Sequence, residues 1–163
     1  MTSHKHTISV LVENEFGVLA RVSGMFAARG YNIDSLSVAP TLDPKVSHIT
    51  IETRGSDLII EQILKQLNRL IDVIQVRDLT GSAFINLETL LIRIKRDRST
   101  EAQVLKILES IHAEKVDENA ECFIFQITGE KEKVESLLQQ LKPLGILELV
   151  RTGTLAISRG NAK

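Results

Sequence analysis

Cysteine is almost absent: Cys122 is the only one in 163 residues. A lone cysteine excludes an internal disulfide and points to a reducing compartment. Tryptophan is missing, tyrosine occurs once and aromatics make up 4% of the chain, few for base-stacking platforms. Neither sign of charge dominates, since 20 basic residues stand against 21 acidic ones for a formal net charge of −1. That balance gives no long-range attraction to nucleic acid or to an anionic membrane. No apolar run approaches the roughly 20 residues that cross a bilayer. The opening Met1-Thr2-Ser3-His4-Lys5-His6 lacks the apolar stretch of a signal peptide. The cytoplasm is expected, with the plastid as the alternative if a transit peptide once preceded this sequence.

Catalytic constellations are equally scarce. The histidines, His4, His6, His48 and His112, are scattered, and His4-x-His6 is a lone pair at the terminus without metal-ligand spacing around it. Cys122 falls in a predicted strand and reads as a small core residue rather than a nucleophile. Gly17 and Gly24 match the spacing of neither nucleotide-binding fingerprint. The carboxylates fall on helix exteriors and turns, where solvation is their usual role. No catalytic residue, metal site or cofactor is expected in this chain.

What is present is a periodic pattern that occurs twice. Ile8, Val10 and Val12 alternate with Thr7 and Ser9, predicting a strand over 7–12. Val18, Val22, Met25 and Phe26 recur at helical spacing, with Gly30 placed to end the helix. Strands are predicted over 32–39, closed by Pro40, and over 46–54. Ser56-Asp57 then opens a helix with Ile60, Ile63, Leu64, Leu67 and Leu70 on one face, and Val73–Asp78 closes the unit. Residues 81–86 read as a connection. The second half repeats the order: a strand around Leu90, Ile92 and Ile94, a helix opened by a Thr100/Gln103 capping box, strands near 114–118 and 121–128, a helix carrying Val134, Leu137, Leu138 and Leu141, and one strand over 146–157. Two βαββαβ units in tandem predict an α+β fold of two ferredoxin-like domains, 1–80 and 81–163. Units of this size bury only about 60–65% of their unfolded surface. With sheet edges and one bare sheet face, assembly into a dimer or larger is expected.

One loop invites a ligand. Glu13-Asn14-Glu15-Phe16-Gly17-Val18-Leu19 joins the first strand to the first helix. Free N–H groups of a first helical turn, with about half a positive charge from the helix dipole, suit a small anion. Gly17 admits close backbone approach, and the Asn14 amide offers both a donor and an acceptor for an α-amino acid. The same two residues also suffice for a tight strand-to-helix turn.

The stretch Ile8-Ser9-Val10-Leu11-Val12-Glu13-Asn14-Glu15-Phe16-Gly17-Val18-Leu19-Ala20-Arg21-Val22 resembles the opening of an ACT domain, a βαββαβ module that binds amino acids at dimer interfaces. Residues 29–41, Arg29-Gly30-Tyr31-Asn32-Ile33-Asp34-Ser35-Leu36-Ser37-Val38-Ala39-Pro40-Thr41, resemble the small, regulatory subunit of acetohydroxyacid (acetolactate) synthase. Residues 61–73 and 150–160 continue that similarity. The resemblance implies a large catalytic subunit as partner, holding thiamine diphosphate, FAD and magnesium, which condenses two 2-oxo acids toward branched-chain amino acids. It implies activation of that subunit, feedback inhibition by valine or another branched-chain amino acid, and a homodimer. Carried onto this sequence, the effector contacts are Asn14, Gly17, Val18 and Leu19 of one protomer, closed by Asn32 and Ile33 of the facing one, with the branched side chain against Val18, Leu19 and Ile33. The sequence departs from the family's pattern at Asn86-Leu87-Glu88-Thr89, where an acidic–basic pair is usual, and at Ser110-Ile111-His112, where Phe-Arg is usual. A stand-alone ACT sensor acting on a different enzyme is the alternative. Two other classes fit poorly. An RNA-binding βαββαβ domain would set aromatics where His48 and Thr50 stand, and an acylphosphatase-like enzyme would need a basic loop where Glu13 and Glu15 repel phosphate.

Overall fold

The computed structural model describes residues 4–159. In chain order the elements are β1 (His4–Glu13), α1 (Val18–Ala28), β2 (Ser35–Pro40), β3 (Val46–Gly55), α2 (Asp57–Leu67), β4 (Val73–Asp78), β5 (Phe84–Lys95), α3 (Glu101–Ser110), β6 (Glu114–Glu118), β7 (Cys122–Gly129), α4 (Lys131–Leu141), a 3₁₀ turn (Lys142–Leu144), β8 (Ile146–Arg151) and β9 (Leu155–Ser158). They form two compact units, one from the residues up to Ile85 together with those from Thr154 onward, the other spanning Asn86–Gly153. Both are βαββαβ sandwiches with antiparallel sheets, ordered β2-β3-β1-β4 and β6-β7-β5-β8, and β9 pairs with β5.

The first core forms because β1 and β3 pair in a register that sets Ile8 opposite Ile51 and Val10 opposite Ile49. All four are buried under Val22, Met25 and Phe26 of α1 and Ile60, Ile63 and Leu67 of α2. The second core repeats this with Leu90, Ile92 and Ile94 under Val104 and Leu108 of α3 and Val134, Leu137 and Leu141 of α4. Even an irregularity recurs: the β1–β4 register slips between Leu11 and Val12, and the β5–β8 register between Arg93 and Ile94.

Both first helices end in the same two-bond motif. Tyr31 N–H donates to Phe26 O (3.0 Å) and Gly30 N–H to Ala27 O (3.1 Å), with Gly30 at φ +68° and the Phe26 and Tyr31 rings packed edge to face. In the second unit Ala113 N–H donates to Leu108 O (3.0 Å) and His112 N–H to Glu109 O (3.1 Å). There His112 itself occupies the left-handed position, at φ 55°. Left-handed backbone costs a residue with a Cβ about 1–2 kcal/mol, while glycine loses about 0.5–1 kcal/mol through its freer unfolded chain. His112→Gly should therefore stabilise the second unit by about 0.5–1 kcal/mol, read as a higher urea midpoint with an unchanged slope. A lower midpoint would mean that the histidine side chain contributes more than its backbone strain.

Several sequence expectations need correction. β2 starts at Ser35 rather than at residue 32; the Asn32 carbonyl accepts from the Thr53 hydroxyl (2.6 Å) instead of a strand N–H, and Asn32 Nδ2 donates to Asp34 Oδ1 (2.8 Å). The expected connection over 81–86 is shorter, since Ser82 folds back onto Leu79 O and β5 already begins at Phe84. The Thr100/Gln103 capping box does not form. Asp97 does that work, its side chain accepting from Ser99 while Thr100 and Glu101 N–H donate to its carbonyl, and Thr100 Oγ1 is left buried without a partner. Ser56 stands at the start of α2 but its hydroxyl makes no capping bond. The single strand expected over 146–157 is two strands, broken at Gly153 with φ 76°.

That break changes the domain boundaries, because the residues after it join the first unit rather than the second. Arg159 N–H bonds to Ala83 O (2.7 Å) and Thr154 N–H to Ser35 Oγ (3.3 Å). The expected bare face of the first sheet is thus partly covered. Thr7, Thr50 and Glu52, polar residues that alternation places on the outer face, are buried, with Lys5 Nζ 2.6 Å from the Glu52 carboxylate.

Candidate functional site

The loop between β1 and α1 is held from both sides. Glu13 N–H donates to Asp72 O (2.8 Å), Asn14 N–H to Lys45 O (2.7 Å) and Asn14 Nδ2 to Pro44 O (2.9 Å). Gly17 caps α1 with φ 83° and ψ −3°, a conformation that favours glycine. Its carbonyl accepts from Arg21 N–H (2.9 Å). Leu19 and Ala20 follow Val18 in the first turn of an 11-residue helix, so their N–H groups have no carbonyl one turn behind them and point out of its end. No acidic residue in that turn neutralises them.

The predicted residues divide by location. Asn14, Gly17 and Leu19 line the open end of the helix, and Leu19 is 41% exposed. Val18 is only 4% exposed and packs in the first core, so its backbone rather than its side chain faces the loop. Asn32 and Ile33 lie elsewhere. Asn14 bonds beside Val46, the start of β3, whereas Asn32 is tied to Thr53 near its end. Seven residue steps along the strand separate those anchors, about 23 Å at 3.3 Å each. One chain does not bring Asn14 and Asn32 together.

Sequence reasoning missed Arg21. Its Nε lies 2.6 Å from Asp72 Oδ2, its Nη2 reaches Phe16 O at 3.4 Å, and a Cβ added at Gly17 would stand 3.0 Å from its Nη1. The guanidinium therefore roofs the loop. The signal was available: a cation in the first turn of a helix opposes the dipole and calls for a reason. Phe16, Leu42 and Ile71, on the three loops gathered at this end, project almost wholly into solvent.

The family described as "AHAS small subunit-like ACT domain" matches residues 8–75, and the family described as "Small subunit of acetolactate synthase" matches residues 87–160. The chain belongs to the acetolactate synthase small-subunit family. Among small-subunit relatives, a probable acetolactate synthase small subunit of Archaeoglobus fulgidus is 42% identical over 98% of this chain and 99% of its own. The acetolactate synthase isozyme 3 small subunit of Salmonella typhimurium is 38% identical over 96% and 97%. The crystal structure of the acetolactate synthase small subunit from Thermotoga maritima superposes with a TM-score of 0.89 at 32% identity, covering 98% of this chain and 99% of that one.

Where this chain departs from the pattern expected of the second domain, the structure shows what the residues do. Glu88 does not sit ahead of the strand but within β5, buried, with both carboxylate oxygens bonded to Arg151 (2.8 and 2.6 Å). Arg151 also meets Glu135 at 2.7 Å. Glu88, the largest of the influences on it, holds the Arg151 guanidinium protonated well above the ordinary arginine range.

Proposed function

We propose that this chain is the cytoplasmic, non-catalytic regulatory subunit of an acetolactate synthase. In this reading it activates the large catalytic subunit, which carries thiamine diphosphate, FAD and magnesium, and makes it sensitive to valine or another branched-chain amino acid. The effector's carboxylate lies at the N-terminus of α1, against the free N–H groups of Leu19 and Ala20 and the Asn14 amide. Its side chain lies against Leu19 and Ile33, where burying a valine side chain contributes about 1.5–3 kcal/mol. The open helix end at Gly17, with no acid of its own in the first turn, is the observation that carries the reading.

Because Asn14 and Asn32 sit far apart in one chain, the site is shared between two protomers, and the edge strand β2 is where their sheets join. Twofold pairing then makes two equivalent sites. Mixed with its cognate large subunit, the chain should raise acetolactate formation, and valine should lower it. Asn14→Ala and Asn32→Ala should each relieve that inhibition. A mixture of the two variants should recover part of it, since each heterodimer rebuilds one intact site. Acetolactate formation by the chain alone would overturn the non-catalytic role, and failure of the mixture to recover inhibition would overturn the shared site.

A further inference from the structure

The outer face of the first sheet carries side chains that neither the core nor the loop uses. Thr7, Thr50 and Glu52 are buried on one part of that face, and Thr154 N–H donates to Ser35 Oγ on its edge strand β2. Beside them a cavity of about 220 Å³ stays open, lined by Ser9, Leu11, His48, Gln75, Arg77 and Ile157 among others. A cavity near 150 Å³ holds benzene, so this space suits a small organic molecule.

Its polar groups converge because of strand register. Ser9 on β1 stands opposite Arg77 on β4, and its hydroxyl lies 2.8 Å from His48 Nε2 on β3. Gln75 stands opposite Leu11 one step along. Arg77 is half-buried, and among the described residues no hydrogen bond or ion pair engages its guanidinium. The contrast lies on the same face, where Lys5 has Glu52. Asp78, the next residue after Arg77, is bonded instead to His6. No carboxylate is among the described residues that line the cavity. Burial holds His48 below the usual histidine range, so near neutral pH it is an uncharged partner for Ser9, and Arg77 is the one charged group among the described residues of the lining. Leu11, Leu79, Ala156 and Ile157 supply apolar wall.

We infer that this cavity is a second ligand site, for a short aliphatic carboxylate held by the Arg77 guanidinium and the Ser9–His48 pair. A planar guanidinium matches a carboxylate with two parallel hydrogen bonds, and an unpaired one beside neutral donors is set for an incoming anion. The apolar wall takes the aliphatic body. The site is separate from the loop at Gly17 and stands whether or not that loop binds an amino acid.

The test is an NMR titration of the full chain with isobutyrate and, separately, with inorganic phosphate. Isobutyrate should give saturable shifts at Ser9, Leu11 and Gln75. Arg77→Met, which keeps the aliphatic stem, should weaken binding about tenfold or more, as loss of a charge-assisted pair implies. Ser9→Ala, a smaller change, should weaken it less. Gly17→Asp should titrate like the unaltered protein, which separates this cavity from the loop. Absence of saturable shifts on this face, or an Arg77→Met or Ser9→Ala protein that binds as tightly as the original, overturns the site. Phosphate binding as tightly as isobutyrate at the same residues overturns the carboxylate assignment.

Discussion

Gly17→Asp should weaken valine inhibition of the reconstituted enzyme by about a hundredfold or more while leaving activation in place. Three effects act in one direction. The left-handed backbone at Gly17, φ 83°, strains any residue with a Cβ, by about 1–2 kcal/mol. The added Cβ would stand 3.0 Å from Arg21 Nη1, so the arginine must shift. In the proposed site the new carboxylate would lie beside the effector's own carboxylate. Two like charges about 4 Å apart repel by about 1 kcal/mol in water and several-fold more in a partly buried site. Lost hydrogen bonds to a charged acceptor add about 1.5–3 kcal/mol each. Activation should survive because the second unit has its own core. The measurement is a valine titration of the mixed subunits, with circular dichroism to establish folding. An inhibition curve that folded Gly17→Asp protein leaves unmoved would place the effector elsewhere.

A comparably large effect is expected from Arg151→Ala, on stability rather than regulation. Glu88 keeps only 3% of its side chain exposed, and Arg151 is bonded to both of its carboxylate oxygens. Removing the guanidinium leaves a buried carboxylate without its counter-charge, which costs about 3–5 kcal/mol. Small domains are stable by only about 5–15 kcal/mol, so the second unit should lose a large part of its margin. Arg93→Ala makes the comparison. Arg93 also bonds a glutamate on the neighbouring strand, Glu148, but both side chains are about half exposed. Water already solvates that pair, and its loss should cost less than about 1 kcal/mol. Urea unfolding of the two variants should differ accordingly. Equal midpoints would show that burial does not set the strength of the Glu88 pair.

Much of this fold was legible because its signals are local. The alternation of Ile8, Val10 and Val12 and the helical spacing of Val22, Met25 and Phe26 each need only a dozen residues of context, and the same pattern recurs after residue 86. The open helix end was legible for the same reason, since Asn14, Gly17 and Leu19 fall within six residues. What escaped depends on contacts distant along the chain. Residues 146–157 alternate well enough to read as one strand, and only the backbone at Gly153 reveals two. Thr50 and Glu52 looked like solvent-facing positions because their polarity is all the sequence shows, yet both are buried, and residues a hundred positions later return to the same unit. Arg21 escaped because its partner, Asp72, is fifty-one residues away.

The tail's return makes the second unit an insertion within the first. The first unit is continuous in space but not in sequence, since it is entered again at Thr154 after the chain has completed the second. Two covalent connections therefore join the units, one inside strand β5 at Ile85–Asn86 and one between β8 and β9 at Gly153–Thr154. A single nick in either connector leaves the other intact, so neither unit is shed by one cut. A fragment ending near residue 80 lacks β9, and is an incomplete copy of its own unit.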